Sequence, residues 1–259
     1  MTQAERRLYL IKYLLNENEE YKDIEIPRDT ENQKTLLRSL FNIRKPKSAS
    51  DEFIKIQDEY LKTEIEEKGI TDYKTLKPVD NGIYLWQGDI TTLKCDAIVN
   101  AANSQLLGCF YPNHLCIDNA IHTFAGIELR LECDKIMKKQ MFSEKTGGAK
   151  ITPAYNLPCK YIIHTVGPIV DFRLSEKNCE NLYSCYISCL KLAEENGIKS
   201  IAFCCISTGE FRFPNVKAAQ IAIKAVRTYK AETGSKIEVI FNVFKDKDRE
   251  IYRELLEKN

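Results

Sequence analysis

The chain has almost no net charge: its 259 residues set 38 Lys and Arg against 37 Asp and Glu, a formal +1. That balance argues against a surface for nucleic acid or another polyanion, which calls for a clustered basic excess. No apolar run approaches the ~20 residues that cross a bilayer. The N-terminal stretch MTQAERRLYLIKYLL is charged and amphipathic and lacks a signal-peptide cleavage pattern. Ten cysteines fall far below the density of a disulfide scaffold, and Cys204 and Cys205 lie inside a strand-like run. The thiols are therefore expected to be reduced and the protein cytoplasmic. What is present is ordinary globular material, 44% hydrophobic and 10% aromatic, enough for one large core or one core with a smaller appendage.

The texture changes near residue 75. Before it, apolar residues recur at helical spacing over 4–15, 29–43 and 51–67, with Leu36, Leu37, Leu40 and Phe41 forming one stripe and Phe53, Ile56, Tyr60 and Ile65 another. Asp29 and Ser50 or Asp51 are placed as N-caps, and the 44–50 stretch RKPKSAS is a break. This predicts a small all-helical extension over 1–75 without a catalytic signature. From Gly82 onward, within a second unit over 76–259, strand and helix patterns alternate. Strands are expected at 83–87, 96–99, 149–155, 161–166, 200–206 and 236–244, and helices at 120–137, 179–196, 215–232 and 247–257. Nearly continuous apolar strands in such alternation predict an α/β sandwich on a mostly parallel or mixed sheet. Ligands of such folds bind beyond the carboxyl ends of the strands. The chemically suggestive residues fall there, at 100–119, at 207–213 and at Phe244.

The stretch GCFYPNHLCIDN (108–119) places Cys109, His114 and Cys116 in a C-x4-H-x-C array. Thiolates with imidazole suit zinc, which takes them at ~2.0–2.3 Å. Three protein ligands with no fourth inside the array match a working zinc site better than a closed structural one. Read locally, the two cysteines could instead be small core hydrophobes, with Pro112 and Asn113 making a turn. Asp118 sits beside a helix start, where it could be an N-cap or a carboxylate facing the metal. Asn100 and Asn103 could satisfy a turn or offer carboxamides to ribose hydroxyls. The 207–214 stretch STGEFRFP leads from a buried strand into a helix near Pro214, and could present N–H groups to a phosphate.

The strings GDITTLKCDAIVNAANSQLLGC, AIHTFAG, TPAYNLPCKYIIHTVGP and IAFCCISTGEFRFP, in that order from about residue 82, resemble the macrodomain family of ADP-ribose-binding modules. The resemblance implies a three-layer α/β/α fold. It also implies roles: Asp89 on the adenine amino group with Ile90 assisting, Asn103 and Asp118 at the distal ribose, and Phe244 against adenine. Ser207, Thr208, Gly209, Glu210 and Phe211 would wrap the diphosphate, Gly209 permitting close backbone approach. Most macrodomains have a glycine-rich stretch where this chain has the cysteine–histidine array. That departure, with the helical extension, resembles zinc-containing macrodomains that reverse protein ADP-ribosylation beside a sirtuin-type ADP-ribosyltransferase. The implied activity is zinc-dependent removal of mono-ADP-ribose from protein side chains, with aspartate or glutamate esters as the expected linkage and Asp118 and Asn103 as the catalytic pair. An ADP-ribose reader without turnover and an O-acetyl-ADP-ribose deacetylase need the same pocket and stay open.

Overall fold

In a computed structural model, which describes residues 1–257, three helices precede the sheet: α1 (Gln3–Asn16), α2 (Thr30–Ile43) and α3 (Asp51–Lys68). Each begins at a side-chain cap. Thr2 and Glu5 form a capping box on α1, Asp29 accepts from the Asn32 amide on α2, and Ser50 accepts from the Phe53 amide on α3. Their apolar stripes close on a core of their own around Leu10, Leu14, Leu37, Phe41, Phe53 and Leu61. Ile65, at the end of α3, already belongs to the larger core of the sheet.

The strands are β1 (Thr71–Asp72), β2 (Ile83–Gln87), β3 (Leu93–Lys94), β4 (Ala97–Ala102), β5 (Ala149–Pro153), β6 (Tyr161–Val166), β7 (Ser200–Phe203) and β8 (Glu238–Val243). Six form one sheet in the order β2-β8-β7-β4-β6-β5, parallel except for β5 against β6. β1 and β3 make a separate two-stranded parallel pair, too short to leave a periodic pattern in the sequence. Successive residues of β7 are all buried, and five of six are in β4, β6 and β8. The sheet is thus covered on both faces, as the α/β/α arrangement requires. The covering helices are α4 (Ile117–Ala125), α5 (Ile127–Gln140), α6 (Glu176–Glu195), α7 (Asn215–Thr233) and α8 (Asp246–Glu257). Among the described residues no helix is long and apolar enough to cross a membrane. All ten cysteines are free.

One expected helix is two. The 120–137 pattern divides at Gly126, which adopts φ +100 and leaves no room for a side chain, since a Cβ there would lie 2.7 Å from Gln57 Nε2. Gln57, fully buried on α3, accepts the Ile127 amide at 2.9 Å and so starts α5. Arg130 on α5 extends this join. It is 5% exposed and donates to the carbonyls of Leu107, Phe41 and Arg44. A buried guanidinium satisfied by three carbonyls ties the helical extension to the sheet domain through main-chain atoms on both sides.

Candidate active site

Because β2, β8, β7 and β4 run parallel, the loops at their carboxyl ends leave one edge of the sheet in a fixed lateral order. Asp89 follows β2 and Phe244 follows β8. Ser207–Phe211 lies beyond β7, and Asn103 with the 108–116 loop follows β4. Neighbouring strands are ~4.8 Å apart, so the Asp89 and Asn103 ends are separated by about 14 Å over three spacings.

Asp89 caps a short helical turn at Ile90–Thr92. Its Oδ1 accepts from the Thr91 amide and hydroxyl, at 3.0 and 2.6 Å, and its Oδ2 accepts from Lys68 Nζ at 3.0 Å. Burial works to raise the Asp89 pKa, but the Thr91 hydrogen bonds and the Lys68 charge outweigh it and hold the carboxyl below its ordinary range. Lys68 lies over the Phe124 ring at 3.4 Å, so α3 orients this carboxylate with a cation that is itself packed. Ile90 is buried, whereas Phe244 is 74% exposed beside Gln87, whose Nε2 donates to the Phe244 carbonyl at 3.2 Å.

The loop beyond β7 is shaped by backbone bonds. Phe213 N–H donates to Ser207 O at 2.9 Å and Arg212 N–H to Gly209 O at 3.0 Å. Ser207 and Arg212 take positive φ, 65° and 56°. Gly209 does not, and a Cβ built on it meets nothing within 4 Å. The protein's own packing therefore does not require glycine at Gly209. The tight approach is at Gly167, where a Cβ would lie 2.0 Å from the buried Ser207 Oγ. Val170 N–H donates to Phe211 O at 2.9 Å and joins the two loops.

At the β4 end the structure corrects one local reading. Asp118 is not an N-cap: the cap of α4 is Cys116, whose Sγ accepts the Asn119 amide at 3.4 Å, and Asp118 lies inside the first turn. It is 5% exposed and held by two carboxamides. Asn100 Nδ2 donates to Oδ1 at 2.8 Å and Asn103 Nδ2 approaches Oδ2 at 3.4 Å. Burial pushes the Asp118 pKa up to about 6, against the Asn100 hydrogen bond and the Arg130 charge, which pull it down.

His164, buried on β6, is a site residue that the sequence did not flag. Its Nδ1 lies 3.2 Å from Asn100 Nδ2 and its Nε2 lies 3.0 Å from Thr152 Oγ1. A carboxamide NH2 only donates, so Nδ1 is the acceptor and Nε2 carries the proton. Burial lowers its pKa to about 3, and the ring is neutral. The chain His164–Asn100–Asp118 thus fixes the orientation of the carboxylate. His122, also fully buried, has Nε2 3.5 Å from Asp118 Oδ1 and no hydrogen-bond partner at either nitrogen.

The array read from the sequence is gathered in space. The ligand atoms of Cys109, His114 and Cys116 all lie within 4.8 Å of one another, with Cys109 Sγ 3.6 Å from His114 Nδ1. The second His114 nitrogen, Nε2, faces Glu210 Oε1 at 3.6 Å, so the loops beyond β4 and β7 meet at this ring. His122, Cys133 and His164 form a second group of possible ligands, wholly buried beside Arg130, whose positive charge disfavours a cation there.

Residues 99–222 match the Macro domain family model. A protein-ADP-ribose hydrolase from Treponema medium is 57% identical over 99% of this chain and 100% of its own length. One from Staphylococcus aureus strain MRSA252 is 50% identical over 95% of this chain and 93% of its own. The Trypanosoma brucei macrodomain solved in complex with ADP-ribose superposes with a TM-score of 0.65 at 30% identity, over 85% of this chain and 94% of that one.

Proposed function

The chain belongs to the macro domain family, and from that membership we propose that it is a protein-ADP-ribose hydrolase that releases mono-ADP-ribose from modified aspartate or glutamate side chains with zinc at Cys109, His114 and Cys116. The observation that carries the reading is the lateral order of the strand-end loops. A carboxylate and an exposed aromatic stand at β2 and β8, a small-residue loop at β7, and carboxamides, a buried carboxylate and the cysteine–histidine array at β4. An adenine, a diphosphate and a ribose joined to a protein side chain match that order and its length of about 14 Å.

In this arrangement Asp89 accepts from the adenine amino group, the Ile90 backbone assists, and Phe244 packs on the ring face. The 207–211 loop wraps the diphosphate, with the backbone amides of Ser207, Gly209, Glu210 and Phe211 donating to it while the Thr208 N–H is held by the Cys205 carbonyl at 3.4 Å; a chain with net charge +1 thereby binds an anion without a basic patch. Asn103 and Asp118 take hydroxyls of the distal ribose, and Asn100 and His164 keep Asp118 in register for them. The donor set fits zinc: ligands at ~2.3 Å for sulfur and ~2.05 Å for nitrogen, set tetrahedrally, place S and N about 3.6 Å apart, and the Cys109–His114 separation is 3.6 Å. When bound, zinc supplies a Lewis acid at the ribose end of the cleft. Glu210, facing Nε2, favours the tautomer that leaves Nδ1 free to ligate.

Substituting Asp89 by alanine is expected to weaken ADP-ribose binding by about 1–3 kcal/mol, the cost of leaving the adenine amino group without its acceptor. Isothermal calorimetry on the two proteins reads this directly. Equal affinities would place the adenine elsewhere and break the proposed order of the cleft.

A further inference from the structure

The loop that carries the three ligands has no regular secondary structure between Cys109 and Cys116, yet its turn is held in a strained conformation, with Asn113 at φ 55. The partners that hold it come from outside the sheet domain. Asn113 N–H donates to Asn42 Oδ1 at 2.9 Å, and Asn113 Nδ2 donates to Ser39 Oγ at 2.6 Å. Arg38 Nη2 donates to the His114 carbonyl at 3.1 Å and to Asn119 Oδ1 at 2.9 Å. Asn119 passes the grip on, its Nδ2 donating to Tyr111 O at 3.1 Å. Asn42 is 1% exposed, and its own Nδ2 donates to Thr123 Oγ1 at 2.9 Å, so the side chain that fixes the turn is itself fixed.

Arg38, Ser39 and Asn42 lie on one side of α2, within a single turn and a little more. We infer that the N-terminal helical segment is the template of the metal loop: through these three side chains, α2 sets the backbone around His114 in its ligating shape before any metal arrives. Metal affinity then depends on a segment that reaches the loop through backbone and carboxamide groups rather than through the ligating atoms. The energetic logic is preorganisation. A loop that must order itself spends binding free energy on conformational entropy, while one already ordered does not. Outer partners that orient ligands typically change metal affinity by ~10–100-fold.

The inference rests on the zinc reading above, and its test separates the two. On the full-length chain stripped of metal, hydrogen exchange of the Asn113 amide is expected to be slow in the wild type. It should be faster by on the order of tenfold in Asn42→Ala, which removes its acceptor. Zinc affinity, measured by competition with a chromophoric chelator, should fall ~10–100-fold in Arg38→Ala and in Asn42→Ala. Arg38→Gln, which keeps one donor, should lie between. The visible spectrum of the cobalt-substituted protein should shift in both alanine variants. Arg6→Ala, which breaks the Arg6–Glu59 pair elsewhere in the helical segment, should leave affinity and spectrum unchanged, and so controls for mere loss of stability. Zinc affinities of Arg38→Ala and Asn42→Ala within twofold of wild type, or an equal loss in Arg6→Ala, would overturn the template. A wild type that takes up no zinc would overturn the zinc reading instead, and the exchange of Asn113 would then decide the template alone.

Discussion

Replacing His114 by alanine is expected to abolish release of ADP-ribose from a modified carboxylate while leaving free ADP-ribose able to bind. The ring sits where two loops meet, with Nδ1 toward Cys109 and Nε2 toward Glu210. Its removal takes away one of three proposed zinc ligands and the contact with Glu210 in the loop beyond β7 together. Loss of a Lewis acid at the reacting end is worth several kcal/mol, on the order of a hundredfold or more in rate. Binding is spared because Asp89 and Phe244 stand at the ends of β2 and β8, three and two strand spacings (about 14 and about 10 Å) from the end of β4 that carries the 109–116 loop. Turnover and calorimetric affinity measured on the same preparations check both halves. A variant that loses both in proportion would assign His114 to binding or folding rather than to the chemical step.

The second large effect is on acid stability. His164 is buried with a pKa lowered to about 3 by desolvation, while the unfolded chain titrates near the ordinary 6.5. The unfolded state therefore takes up the proton first as pH falls. The stability tied to a neutral His164 is complete above the unfolded value and is lost between about 6.5 and 3, at up to ~1.4 kcal/mol per pH unit. His122 shifts in the same direction, through burial and then the charge of Arg130. Asp118 works the other way, since its raised pKa of about 6 makes the folded state bind a proton first. Comparison with His164→Gln removes that contribution, because Asp118 is present in both proteins. The stability advantage of wild type over His164→Gln, from urea denaturation, should shrink steadily from pH 6.5 downward. A constant difference across that range would mean that His164 is already protonated or already wet.

Much of this was legible before any coordinates. Alternating strand and helix patterns placed all six strands of the main sheet, and the N-caps at Asp29 and Ser50 stand as read. The array of Cys109, His114 and Cys116 was visible because its members are neighbours in sequence, and the loop brings their ligand atoms together. What escaped was encoded in distance or in an unusual choice of residue. Gly126 divides α4 from α5 within an apolar pattern that continues through both, and the reason, Gln57, lies 70 residues away. Asp118 looked like a cap because aspartate is a common one, whereas the true cap is a cysteine. His164 sits in an apolar strand, where nothing in the local sequence distinguishes an orienting histidine from a core one. Arg38 and Asn42 meet the 109–116 loop across 71 to 76 residues, and no periodicity in α2 announces that contact.

The most direct test of the central claim is release of ADP-ribose from an aspartate-ADP-ribosylated protein, measured on one preparation as purified, after stripping with a chelator, and after zinc is returned. Turnover is predicted in the first, loss of turnover in the second, and recovery in the third, with one zinc per chain by elemental analysis. Undiminished turnover in the stripped protein would contradict the role of the cysteine–histidine array, and absence of turnover in all three, with ADP-ribose still bound, would leave a module that binds the ligand without releasing it.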